Sequence, residues 1–160
     1  MPNNTPSLKF AYHHGDLPKQ THHLALETLR EHGDAAISLR ALAKQLGVSA
    51  PALYRHFSDR DTLLAELAIG GFEALTDRLR AVDQQMPRKA LIEIGLVYVD
   101  FAQEEPNLYR LMFGGRVLPM SVHPRLDAAR KGAFKVLENT VANARQLGYL
   151  KPSPVSLITA

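Results

Sequence analysis

Ser38-Leu-Arg-Ala-Leu-Ala-Lys-Gln-Leu-Gly-Val-Ser-Ala-Pro-Ala-Leu-Tyr-Arg-His-Phe57 is the stretch on which the fold turns. Leu39, Leu42, Ala43 and Leu46 repeat at helical spacing, so a short helix runs from Leu39 to Leu46 with Ser38 placed to cap it. Gly47 supplies the positive φ that stops the helix. Ser49 is the next cap, Pro51 suits a first helical turn, and a second short helix runs to about Phe57. Leu53 and Phe57 lie one turn apart and face inward. Val48 plugs the corner, and the small Ala43 lets the two helices cross closely. Two short helices about a tight glycine turn are the parts of a helix-turn-helix, whose second helix must stand proud to enter a groove about 12 Å wide.

The surface that such a helix shows is then the reading surface. Ser49, Ala50 and Ala52 sit at its N-terminal end, the end that meets base edges, and small methyl groups there permit contact with thymine. Tyr54 and His56 carry polar tips suited to phosphate oxygens. Arg40 can reach the backbone across the groove, and Arg60, beside the N–H groups after Ser58, offers a further phosphate contact. Arg55 reads as a solvated charge.

Outward from this segment the periodicity stays helical and β-branched residues are sparse, so the chain is all-α. A first helix runs from Asp16, a cap candidate, to His32 before Gly33, with Leu17, Leu24, Ala25, Thr28 and Leu29 on one face. Ser58 begins a fourth helix, with Asp61 three residues on in the manner of a capping box, running to about Arg80. Pro87 opens a fifth to about Glu105. Pro106 breaks that helix and opens a sixth, Asn107 to Phe113, stopped by Gly114–Gly115. Residues 116–123 form a loop. Pro124 opens a seventh helix to about Leu147 before Gly148, and an eighth starts after Ser153. A chain ending on Ile158–Thr159–Ala160 without a stop signal reads as a truncated product. Pro, Asn, Thr and Ser in residues 1–11 read as a disordered tail. The division expected is therefore a tail over 1–11, a DNA-binding head over 12–61 and an incomplete helical body over 62–160.

Ile37-Ser-Leu-Arg-x-Leu-Ala-x-x-Leu-Gly-Val-Ser-x-x-Ala-Leu-Tyr-Arg-His-Phe57, followed by Ser58-Asp-Arg-Asp-x-Leu-Leu64, resembles the signature of the TetR family of transcriptional regulators. Tyr12-His-His-Gly-Asp-Leu17 is similar to the opening of a large subgroup of that family. The resemblance covers about residues 12–72. It implies DNA contacts at Arg40, Ser49, Ala50, Ala52, Tyr54, His56 and Arg60. It also implies a homodimer built on the last two helices, a pseudo-palindromic double-stranded operator and a small-molecule effector held in the body. The family's last two helices are largely missing after Pro154. Of the body's aromatic and apolar set (Phe72, Tyr98, Phe101, Leu108, Tyr109, Met112, Phe113 and Phe134), the resemblance places the cavity at helices five and six. That points to Tyr98, Phe101, Tyr109 and Met112 as the lining of a pocket for an uncharged hydrophobic ligand.

Composition bounds the alternatives. The chain has 160 residues, is 46% hydrophobic and 22% charged, and carries a net charge of +3, which is compatible with nucleic acid without requiring it. Its positive charge leans only slightly toward the head, a net of +2 over residues 1–60 against +1 over the rest. No apolar run approaches the ~18 residues of a membrane span, and Met1 to Lys9 lacks a signal-peptide core. The absence of cysteine excludes disulfides and thiolate metal sites and fits a cytoplasmic protein. His13–His14 and His22–His23 are adjacent pairs that diverge by about 100° on a helix, a poor arrangement for a metal. No phosphate loop or nucleophile elbow is present, and Glu104–Glu105 read as solvated, so neither catalysis nor a cofactor is expected. The rival readings are a ligand-binding or dimerisation module whose head no longer reads DNA, and a DNA binder without sequence preference.

Overall fold

A computed structural model of the chain describes residues 16–114 and 123–150, and every regular element among them is helical. The order is α1 (Leu17–His32), a 3-10 turn (Asp34–Ala36), α2 (Leu39–Leu46), α3 (Ala50–Tyr54), α4 (Arg60–Arg80), α5 (Pro87–Glu104), α6 (Pro106–Phe113) and α7 (Pro124–Gln146). No described helix is long and apolar enough to cross a membrane. The eighth helix expected after Ser153 and the loop at 116–122 lie outside the described residues, as do the tail and His13–His14.

Proline sets most of the starts. Pro18, Pro51, Pro87, Pro106 and Pro124 each occupy the first or second position of a helix, where a missing N–H leaves no hydrogen bond unmade. Pro106 is itself the first residue of α6, one before the expected start. Gly47 ends α2 at φ 70° and ψ 26°. Its N–H donates to the Lys44 carbonyl and the Val48 N–H to the Ala43 carbonyl, so two end carbonyls of α2 are satisfied, while half-buried Val48 packs against the core.

Capping departs from the sequence expectation. Asp16, Ser38 and Ser49 hold cap positions, but none of their side chains bonds a helix N–H. Asp16 instead pairs with Lys19 at 3.4 Å. The cap of α4 is Asp59, one residue after the expected Ser58: its Oδ1 accepts from the Thr62 N–H at 2.7 Å, while the Ser58 hydroxyl turns to the Thr62 hydroxyl at 2.8 Å. An aspartate reaches the N–H three residues on from a β-region backbone, and an ionised acceptor there is favoured by the helix dipole. The Thr62 N–H accordingly holds the Asp59 carboxyl below the usual carboxylate range. Asp59→Ala is expected to cost about 1 kcal/mol, read by thermal or denaturant unfolding. Because the folded pKa is depressed, this contribution is complete above the unfolded value of about 3.9 and is lost as pH falls through the lower folded value.

The core is one connected cluster from Leu17 to Ala133 rather than separate head and body cores. Its spine is α4, whose Leu63, Leu64, Leu67, Phe72, Leu75 and Leu79 are all buried. α4 packs against α1 on the head side and α5, α6 and α7 on the other. A movement of α4 is therefore felt by both ends of the molecule.

Candidate nucleic-acid interface

α3 has five residues and owes its place to two side chains. Leu53 is fully buried and Phe57 nearly so, and the Leu53 carbonyl accepts from both the His56 and Phe57 N–H groups. The helix ends at Tyr54, three residues before the expected end, and a turn carries the chain to Phe57. With Leu53 and Phe57 inward, the other side of the rod is open: Ser49, Pro51, Tyr54, Arg55 and His56 are exposed. Ala50 and Ala52 are half-buried against the core, not fully outside as their position suggested. Pro51 takes the exposed place between them.

Tyr54 shares a cleft of about 330 Å³ with Ser38, Arg40, Asp59 and Arg60. Ser38 leaves the first N–H groups of α2 without a side-chain cap, and Ile37, Ser38 and Leu39 line this cleft. Arg40 is exposed at its edge. Arg60 is differently placed from the sequence expectation of a free phosphate contact. Its Nε donates to the Ile37 carbonyl at 2.9 Å, and a terminal nitrogen donates to the Asp34 carbonyl and lies 3.4 Å from the Asp34 carboxylate. The guanidinium thus pins the 3-10 turn and the entry to α2, and the charge it lends the cleft is held in place. Nothing local announces this, since Asp34 and Arg60 are 26 positions apart.

His22 and His23 point apart. His22 lies half-buried against α4 at Gly70, and His23 is exposed beside Glu27 at 3.3 Å.

Residues 23–67, the ones that build this interface, match the family described as bacterial regulatory proteins, tetR family. The HTH-type transcriptional regulator PksA of Bacillus subtilis (strain 168) is 30% identical over 146 residues, covering 84% of this chain and 71% of PksA. The chain belongs to the TetR family. YobS of the same organism, an uncharacterized HTH-type transcriptional regulator, is 35% identical over 86 residues; the match takes 53% of this chain and 45% of YobS, so the chain spans under half the length of that relative. Among solved structures, a protein of unknown function from Rhodococcus sp. RHA1 superposes with a TM-score of 0.77 at 34% identity, over 89% of this chain and 74% of that one.

In this TetR-family chain the four side chains expected around a ligand take three places. Tyr98 and Tyr109 meet around Phe113, with ring centroids 6.4 and 4.6 Å from it, and Phe113 stands edge-on to Phe72 at 5.2 Å. Burial pushes the Tyr98 phenol up. Met112 lies against Gly71 of α4, where a Cβ would come within 2.5 Å of its sulfur. Phe101 is sealed in the core, under the Arg78 guanidinium at 5.2 Å. Phe113, 44% exposed and set against the rings of Phe72, Tyr98 and Tyr109, is the hub that sequence spacing did not single out.

Glu104 and Glu105 are not simply solvated. Glu105 takes a two-pronged contact from Arg30 of α1 at 2.9 and 2.6 Å, and Asn107 donates to the Arg30 carbonyl at 2.9 Å. Glu104 accepts from Arg78 of α4 at 2.6 Å. The corner between α5 and α6 is therefore clasped to α1 by one glutamate and to α4 by the next.

Proposed function

We propose that the protein is a sequence-specific DNA-binding transcriptional regulator, a cytoplasmic repressor that binds a pseudo-palindromic operator as a homodimer and is released by a small hydrophobic molecule. The observation that carries the DNA part of this reading is the exposed rod. Leu53 and Phe57 face the core, Ser49, Tyr54 and His56 are exposed, and Tyr54 lines a cleft edged by Arg40. In this role Ser49 and the methyl groups of Ala50 and Ala52 meet base edges, while Arg40, Tyr54 and His56 hold phosphates and fix the register. Arg60 acts from its anchored position, by charge. Two copies bring their rods to successive major-groove faces about 34 Å apart or a multiple of it.

The effector reading rests on Tyr98 and Tyr109 meeting around Phe113, with Met112 packed against Gly71 of α4 and Phe101 buried in the core. A ligand that prefers a different setting of α6 shifts the populations by its differential affinity for the two settings. α4 and the glutamate corner deliver that change to the head.

The test is selection of binding sites from a random duplex pool, followed by titration of the selected duplex against scrambled DNA. A specificity ratio of about 10³ or more is expected. A ratio near one makes the protein a non-specific binder, and no binding at all leaves only the ligand-binding module.

A further inference from the structure

Tyr54 ends α3 and His56 lies in the turn that follows, and the two side chains line different clefts. Tyr54 enters the cleft edged by Arg40. His56 opens onto another, of about 520 Å³, walled by Lys19 and His22 of α1 and by Thr62 and Glu66 of α4. A helix is about 10–12 Å across, and the groove it enters is about 12 Å wide. A rod of that thickness meets a phosphate ridge on each side.

We infer that the cleft of Lys19, His22 and His56 is a second phosphate seat, holding the backbone strand opposite to the one met by Arg40 and Tyr54. The inference rests on the DNA-binding reading above and adds α1 to the contact surface. The charges in the cleft suit it. The Lys19 ammonium is 3.4 Å from Asp16 in a pair whose lysine is 87% exposed. An exposed pair of that kind is weak, so a phosphate displaces the carboxylate at little cost. Glu66 in the wall is held by Arg125 at 2.8 Å, which offsets its charge. The half-buried His22 ring rests against α4 at Gly70, which fixes its place in the wall of the cleft. Lys19 and His22 lie outside the helix-turn-helix itself, which is why its sequence pattern does not point to them.

The experiment uses the full chain and the duplex selected by the wild type. Binding is measured from about 50 to 200 mM salt for Lys19→Ala, His22→Gln, the pair together and Lys19→Arg. The log–log salt slope of the double variant is expected to be shallower by about 0.9 for each phosphate that a subunit no longer neutralises, with base preference unchanged and Lys19→Arg close to wild type. Neutral methylphosphonates placed one at a time along both strands give the second reading. Lys19→Ala, at an exposed site, is expected to become insensitive to neutralisation of the seated phosphate in each half-site, one on either strand of the palindrome, and to keep its sensitivity at the phosphates met by Arg40 and Tyr54. An unchanged slope together with an unchanged phosphate pattern overturns the second seat alone. A wild type that binds no duplex overturns the DNA reading and the seat with it.

Discussion

Leu53→Ala is expected to destabilise the protein by about 2–5 kcal/mol and to remove DNA binding along with the folded head. A helix of five residues has no stability of its own, because its nucleus costs more than so few hydrogen bonds return. What holds α3 is the Leu53 side chain, fully buried, and its carbonyl, which takes the N–H groups of the turn leading to Phe57. Truncation to alanine leaves a cavity beneath the rod, and the short segment has little else with which to close it. Leu53→Met fills nearly the same volume and is expected to cost less than about 1.5 kcal/mol. Denaturant unfolding of the two variants beside the wild type decides the matter. If Leu53→Ala unfolds within about 0.5 kcal/mol of the parent, α3 is held by something else.

The second large effect falls on binding and leaves stability alone. Arg40→Ala combined with Tyr54→Ala is expected to weaken binding to the selected duplex at least about a hundredfold, since hydrogen bonds to a charged group contribute about 1.5–3 kcal/mol each. Both side chains are exposed and neither belongs to the buried core, so the unfolding midpoint is expected to stay within the range of ordinary surface substitutions, about 0.5 kcal/mol. Phosphate contacts carry no base information, so the loss is expected to be uniform across related sequences. Tyr54→Phe separates the hydroxyl from the ring. Anisotropy titrations give all three values, and a double variant that binds like its parent takes the phosphate role away from this cleft.

How much of this was open to the sequence depends on whether the deciding contact is local. Proline starts, glycine stops and the inward Leu53–Phe57 pair are local events, and they put the helices within a few residues of where they stand. The cap of α4 is local too, yet Ser58 and Asp59 are both good caps, and only the backbone at Asp59 decides between them. Contacts between distant residues were out of reach. Arg60 has the spacing of a phosphate ligand, and its bonds to Ile37 and Asp34 appear only once α4 lies across the 3-10 turn. Glu104 and Glu105 look like a solvated helix end until α1 and α4 are packed beside them. The half-burial of Ala50 and Ala52 comes from packing against the core, which periodicity does not fix over a helix of five residues. Phe113 stood among the body aromatics, but its place as the ring hub depends on α6 lying over Gly71.

The glutamate corner bears on how such proteins are recombined. A hybrid made by exchanging everything before the turn into α4 brings in a new residue at position 30, while 105 and 107 stay behind. Arg30 or its replacement then faces a corner built for another side chain, and Glu105, only 18% exposed, is left with its charge half withdrawn from water. The workable seam does not follow the chain. It runs across it, so that Glu105 and Asn107 travel with the helix they grip, and a grafted head without them is mechanically loose however well it reads its site.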